Sequence, residues 1–308
     1  MCGIIGLHLK NPDLQPRLGE LLTQMLEAMT TRGPDSAGIA VYSDPVYSDP
    51  VYSDPASAGV MRYSLRAGEP SDWELLGQRL AADTGAEVRV RQLGPDVAVL
   101  SSAADEALLL GAVRRAAPQV AVAGWGRSMV LVKDVGAPAD ICNRYGIPGW
   151  AGYQGAGHTR MATESAVTTA HSHPFAPAAD LALVHNGSFS NYATIRGRLA
   201  RAGVSCDTDN DSEVAARLIA SRMAAGDGLE DAMKTVLKEM DGFFTLLVTT
   251  RTQFAVVRDS FACKPAVIAE TSDYVAMASE YHALAGLPGI TGAEVFEPMP
   301  EEIHLWSR

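Results

Sequence analysis

Cysteine is scarce in this chain, and no cysteine is placed to work with another. The four stand far apart, at Cys2, Cys142, Cys206 and Cys263. They form no CxxC pair and no other metal-ligand spacing, so neither a disulfide framework nor a metal site is expected. Free thiols point to a reducing, cytoplasmic setting. Basic runs are missing too. The net charge is −11, and no basic stretch interleaves with aromatic residues, so nucleic acid is not an expected partner. No apolar run is long enough to span a membrane. No charged segment precedes an apolar stretch at the start, so no secretory signal is read. The phosphate-binding pattern GxxxxGK[ST] is absent as well.

What is present fits a loop-rich globular protein. The 308 residues leave room for one large domain or two smaller ones, and 47% of them are hydrophobic, enough for a packed core. Residues 3–8 read as a buried strand, with Gly3 and Gly6 allowing close backbone approach. Over 17–30, Leu18, Leu21, Leu22, Met25, Leu26 and Met29 share one helical face. A turn follows at Arg32–Ser36 and a strand at 37–42. Residues 42–55 then hold three copies of a Tyr-Ser-Asp-Pro unit. A proline in each unit excludes a central strand, so an extended surface loop is expected. Residues 60–135 read as an inserted α/β segment, with strands at 86–91, 97–101, 120–123 and 129–132 and helices at 71–82 and 104–117. The whole insertion spans 42–154. Beyond 155, apolar strands (181–185, 244–249, 254–258, 266–269, 274–278) and helices (191–203, 211–225, 229–240) alternate with motif-rich loops. This pattern indicates an α+β protein rather than a parallel βαβ array.

Cys2 is the residue with most chemical promise. Removal of Met1 would give it a free α-amine. One residue would then hold a thiol nucleophile and a base of pKa roughly 7.7–8. If that thiol attacks an amide carbonyl, the developing oxyanion needs fixed donors. An amino-acid substrate also needs a cation for its carboxylate, best an arginine fork, and an anion for its ammonium. Three loops offer such groups: Gly157-His-Thr-Arg160-Met-Ala-Thr163, His185-Asn186-Gly187-Ser-Phe, and Asp207-Thr-Asp209-Asn-Asp211-Ser-Glu213. Each also has a plain reading. Asn186-Gly187 alone is a hairpin turn signal. Asp207–Glu213 alone is a helix N-cap and does not match a calcium loop. Arg160 alone is a surface or ion-pair residue. His171 and His173, two apart, suggest a rigid loop more than a metal site.

The order of the motifs decides between these readings. Cys2-Gly-Ile-Ile-Gly, Arg32-Gly-Pro-Asp-Ser, Gly157-His-Thr-Arg-Met-Ala-Thr, His173-Pro-Phe, His185-Asn-Gly and Asp211-Ser-Glu-Val follow one another as in the class II glutamine amidotransferases, a family this sequence closely resembles over about 2–42 and 155–280. The resemblance implies a single domain over 2–308 with the four-layer αββα sandwich of the N-terminal-nucleophile hydrolases. It implies Cys2 as nucleophile and its α-amine as base. Asn186 and Gly187 would form the oxyanion hole. Arg160, helped by Thr163, would bind the α-carboxylate of glutamine. Asp211 would bind its ammonium, with Asp209 as rival, and Arg32 would shape the site around the nucleophile. One departure is Glu164-Ser165, where sugar-using members tend to have His-Gly.

Within the family, the chain looks similar to the freestanding amidotransferase subunit of glutamate-synthase-like complexes, including the N-methylglutamate synthase type. Past the matched region there is no room for a second catalytic domain, so the ammonia acceptor is expected on synthase-type partner subunits of a hetero-oligomer. Any FMN or iron–sulfur cluster would be there, with no cofactor on this chain. Two other classes compete. One is an idle scaffold of the same fold with Met1 retained, which would leave Cys2 without its base. The other is a hydrolase of a different amide, against which the pairing of Arg160 with Asp211 argues.

Overall fold

Every residue of the first strand, β1 (Gly3–Leu9), is buried, which requires cover on both of its faces. The computed structural model describes residues 2–44, 60–161 and 167–308. After β1 come α1 (Leu18–Ala28), β2 (Ser36–Tyr42), β3 (Met61–Arg66), α2 (Trp73–Thr84), β4 (Val88–Gly94), β5 (Val97–Ser102), α3 (Glu106–Ala116), β6 (Ala121–Gly126) and β7 (Met129–Val135). They are followed by α4 (Pro138–Arg144), β8 (Gln154–Arg160), β9 (Phe175–Ala178), β10 (Leu181–Phe189), α5 (Tyr192–Arg201), α6 (Asp211–Ala224) and α7 (Leu229–Glu239). The last strands are β11 (Gly242–Thr249), β12 (Gln253–Arg258), β13 (Val267–Glu270), β14 (Tyr274–Ala278), β15 (Glu294–Phe296) and β16 (His304–Ser307).

Among the described residues these strands make three antiparallel sheets. The first has the order β15-β13-β14-β1-β8-β2-β7, the second β16-β12-β11-β10-β9, and the third β4-β5-β3-β6. The two larger sheets pack face to face. Strand β1 shows how alternation serves both covers. Ile5, Leu7 and Leu9 join the helix-side cluster with Leu22, Met25 and Leu26 of α1. Ile4 joins the inter-sheet cluster with Val184, Leu247 and Phe254. At Gly6 an added Cβ would lie 2.4 Å from Leu247 Cδ2 and 2.8 Å from the Phe254 ring, so the sheets meet this closely only over glycine. The outer face of the second sheet is covered by α5, α6 and α7, through Ile195, Val214, Ile219, Met233 and Val236. The mixed α+β character read from the sequence is what the chain adopts.

The six apolar residues spaced along 17–30 are each 1% exposed or less, and α1 spans Leu18–Ala28. Each such side chain contributes roughly 1.5–3 kcal/mol by leaving water. One expectation needs correction. The 60–135 segment is not one unit. Only β3 to β6 form the third sheet with α2 and α3. Strand β7 pairs with β2 from Ser36↔Val135 to Tyr42↔Met129, as the edge of the first sheet. Its apolar start, Met129–Val132, fits a strand of either sheet, and only pairing decides. Residues beyond 280 join the two larger sheets, since β15 borders β13 and β16 borders β12. Of the tyrosine-serine-aspartate-proline repeat at 42–55, residues 45–55 lie outside the described residues. Among the described residues, no helix is long and apolar enough to cross a membrane.

Candidate active site

Cys2 directly precedes β1 in the centre of the first sheet, where β1 runs beside β8 with Gly3 opposite Thr159. Arg160, the last residue of β8, is therefore held beside the start of β1 and is 7% exposed. The second sheet contributes Asn186 and Gly187 from β10. Asp211 opens α6, whose N-cap is Asn210, with its side-chain oxygen accepting from Ser212 N–H at 2.8 Å. Cys2, Arg160, Asn186, Gly187, Asp209 and Asp211 all line one open cleft of about 610 Å³. The cleft thus lies where the ends of β1, β8 and β10 meet the start of α6.

Asn186-Gly187 is not a hairpin turn, as the pair alone would suggest. Both residues lie inside the strand Leu181–Phe189. Gly187 has φ +147°, and an added Cβ would lie 1.9 Å from the Phe243 main-chain oxygen, so no other residue fits. Its register partner Phe244 uses its own N–H on Asp259 Oδ2 (2.7 Å) and its C=O on Asp259 N–H (3.0 Å). Gly187 and Phe244 therefore face each other as a non-hydrogen-bonded pair. The Gly187 N–H points to the other edge of β10, the edge from which Phe189 N–H reaches Asp211 Oδ2 at 2.8 Å. Asn186 is 4% exposed, and its Nδ2 has no hydrogen-bond partner among the described residues. A buried amide donor left so costs about 1–3 kcal/mol, a cost that an anionic oxygen in the cleft would remove.

Arg32 does not line the cleft but stands behind Cys2. Its Nε donates to the Cys2 main-chain oxygen at 2.9 Å, and its Nη1 pairs with Glu280 at 2.6 Å. The two rival acids differ in setting. The Asp209 side chain is 80% exposed and accepts from His171 Nε2 at 2.7 Å, a bond that lowers its pKa. The Asp211 side chain is 21% exposed, and besides Phe189 N–H it accepts from Ser212 Oγ at 3.1 Å. Thr163 and Met1 lie outside the described residues, as do Glu164 and Ser165.

Three histidines near the cleft were not assigned roles from the sequence. His158 Nε2 donates to His185 O at 3.0 Å, His185 Nδ1 meets Ser212 Oγ at 2.7 Å, and the His158 and His173 rings lie 4.0 Å apart. Burial lowers all three pKa values, His158 to about 3, so the cluster is polar but uncharged at neutral pH. Ser212, which links His185 to Asp211, was also passed over. Its only sequence signal is its place after Asp211 at a helix start. Glu213 anchors the loop before α6 by accepting from the N–H groups of Asp207 (2.8 Å) and Thr208 (2.7 Å).

Comparison with known proteins bears on the family and the fold. A family model described as a glutamine amidotransferase domain matches residues 158–286. The glutamine amidotransferase-like protein GlxB of Rhizobium meliloti is 44% identical over 309 residues, covering 99% of this chain and 98% of that protein. The isomerizing glutamine–fructose-6-phosphate aminotransferase of Mycolicibacterium smegmatis is 41% identical over 103 residues, 32% of this chain and 16% of that one. Among solved structures, glutamine phosphoribosylpyrophosphate amidotransferase from B. subtilis shares the fold with a TM-score of 0.61 at 19% identity, over 100% of this chain and 49% of that one. The full-length relationship to GlxB is decisive: this chain belongs to the class II glutamine amidotransferase family.

Proposed function

We propose that the chain hydrolyses glutamine to glutamate and ammonia through a thioester on Cys2. In this reading the Cys2 thiol gives its proton to its own α-amine, and Sγ bonds to the side-chain amide carbon of glutamine. The oxyanion accepts from Asn186 Nδ2 and Gly187 N–H. Collapse breaks the carbon–nitrogen bond, and the α-ammonium returns its proton to the departing ammonia. Water then gives a proton to the α-amine and attacks the thioester carbon; the carbon–sulfur bond breaks, Sγ takes that proton back as the thiol, and the water oxygen ends in the glutamate carboxylate. Arg160, with Thr163, grips the substrate α-carboxylate. Asp211 rather than Asp209 takes the ammonium, being the less exposed acid and the one tied to the oxyanion strand. We read the helix–sheet–sheet–helix arrangement as the sandwich of N-terminal-nucleophile hydrolases.

The observation that carries the reading is the unpartnered Asn186 Nδ2 buried on the wall of the cleft that Cys2 enters. As a further part of the proposal, the ammonia passes to a synthase on another chain, of the glutamate-synthase-like or N-methylglutamate synthase type, with FMN and an iron–sulfur cluster on those partners. The His171-Ser-His-Pro-Phe and Thr208-Asp-Asn-Asp-Ser-Glu forms support that subgroup.

The test combines mass and labelling. Intact mass of the purified native protein should show Met1 removed, and 6-diazo-5-oxo-norleucine should label Cys2 and none of Cys142, Cys206 or Cys263. Cys2→Ala should abolish glutaminase activity and keep the fold. A retained Met1 in the native protein, or full activity in Cys2→Ala, refutes the mechanism.

A further inference from the structure

Three imidazoles stand together at the inner wall of the cleft. His158 comes from β8 of the first sheet, His185 from β10 of the second, and His173 from the chain just before β9. The ring centres of His158 and His173 lie 4.0 Å apart, and those of His173 and His185 6.3 Å. All three side chains are buried, yet His173 and His185 line the same cleft as Cys2 and Asn186. Aromatic rings flank them, Phe175 at 5.0 Å from His173 and Phe189 at 4.7 Å from His185.

Four ring nitrogens of this cluster have no hydrogen-bond partner among the described residues: His158 Nδ1, His185 Nε2 and both nitrogens of His173. The bonds that the rings do make fix what these nitrogens offer. Burial keeps the rings neutral. His158 Nε2 donates to the His185 main-chain oxygen, so Nδ1 is a bare acceptor. Ser212 Oγ donates to Asp211, so His185 Nδ1 donates to that Oγ and its Nε2 is a second bare acceptor. His173 holds one donor and one acceptor whichever tautomer it takes. The cluster thus presents three acceptors and one donor that no described residue satisfies, and leaving them idle in a buried place is costly.

The match is with a small molecule that has more donors than acceptors. Water has as many of one as of the other. Ammonia has three N–H donors and one lone pair, the complement of the cluster. Ammonium has no lone pair for the His173 N–H, and its charge would oppose Lys133 and Arg160, whose positive charges already act on His173.

We propose that the His158–His173–His185 cluster is a holding site for un-ionised ammonia beside the glutamine cleft. The inference rests on the glutaminase reading, which makes ammonia the product. Ammonia held there stays close to the Cys2 thioester and is able to return to it. In that reversal its nitrogen bonds to the thioester carbon, the carbon–sulfur bond breaks, and one nitrogen-bound proton passes to Sγ, restoring glutamine and the free thiol.

The test gives the full chain glutamine and isotopically labelled ammonium chloride. Mass spectrometry then follows label entering the glutamine amide and glutamate being formed. The ratio of exchange to hydrolysis measures capture of the thioester by ammonia against capture by water. His173→Phe keeps a flat ring and removes both nitrogens. It should lower that ratio about tenfold, the worth of one hydrogen bond in a dry site. A merely structural defect would reduce both products alike and leave the ratio in place. If His173→Phe melts early, the unaltered chain decides by its choice of nucleophile. It should capture ammonia at least about tenfold more readily than methylamine, which has one donor fewer but is the stronger nucleophile in water. An unchanged ratio in His173→Phe, glutamate formed with no exchange, or a preference for methylamine would each overturn the ammonia site while leaving the glutaminase reading intact. Absence of glutamate formation would instead sink that reading, and the ammonia site with it.

Discussion

Phe189 N–H donates to Asp211 Oδ2 at 2.8 Å, joining the last residue of β10 to the first residue of α6. The strand that carries Asn186 and Gly187 and the helix that carries the candidate ammonium acceptor are thereby fixed to each other. Ser212 adds a second tie, bridging Asp211 (3.1 Å) to His185 (2.7 Å) beside Asn186. The candidate oxyanion donors and the candidate ammonium acceptor thus depend on one small network.

Substitutions at this junction should separate its functions. Asp211→Asn should raise KM for glutamine strongly, because a neutral amide cannot balance the substrate ammonium. Asp209→Asn should change KM little, since that side chain is exposed and faces His171. Steady-state kinetics of the two variants decide the assignment, and the reverse ranking would transfer the role to Asp209.

Asn186→Ala should lower kcat by about 10²–10³-fold, the usual loss for one oxyanion donor, with little loss of stability because Nδ2 has no protein partner to forfeit. Gly187→Ala should behave differently. Its Cβ meets the Phe243 oxygen at 1.9 Å, so its melting temperature should fall together with activity. A stable, inactive Gly187→Ala would mean that the strand can shift there.

Arg160→Lys should raise KM, since lysine lacks the planar fork that meets a carboxylate at two points. An unchanged KM would show that another cation holds the substrate. Arg32→Met should lower kcat/KM by about 10–100-fold, roughly 1.4–2.7 kcal/mol, by loosening the main chain at Cys2. Its labelling by 6-diazo-5-oxo-norleucine should slow in proportion, and unaltered labelling kinetics would remove Arg32 from the site.

Acid should destabilise the fold through its buried histidines. His158, His173 and His185 are held below the ordinary value of 6.5, His158 at about 3. The unfolded chain therefore binds more protons than the folded one below pH 6.5. Stability is fully present above 6.5 and is lost as pH falls toward the folded values. Urea unfolding at pH 7.5, 6.0 and 5.0 should show the midpoint dropping. A flat midpoint would mean that these rings are already protonated, or solvated, in the folded protein.

Much of this was legible in the sequence because it is written in local spacing. The helical period of Leu18 to Met29 placed α1, since burial of one face follows directly from that period. The ordered motifs named Cys2, Arg160, Asn186, Gly187 and Asp211, all of which line one cleft. Pairing is different in kind. The apolar run Met129–Val132 suits a strand of either sheet, and only its register with β2 placed it in the main body rather than in the inserted segment. Asn186-Gly187 carries the local signature of a turn, but pairing with β11 keeps it extended. The dependence of Gly187 on the Phe243 oxygen and the tie from Phe189 to Asp211 each join residues far apart in the chain. Local chemistry sets which groups are available; long-range packing alone determines which donors are left without partners, and those are the groups a substrate can use.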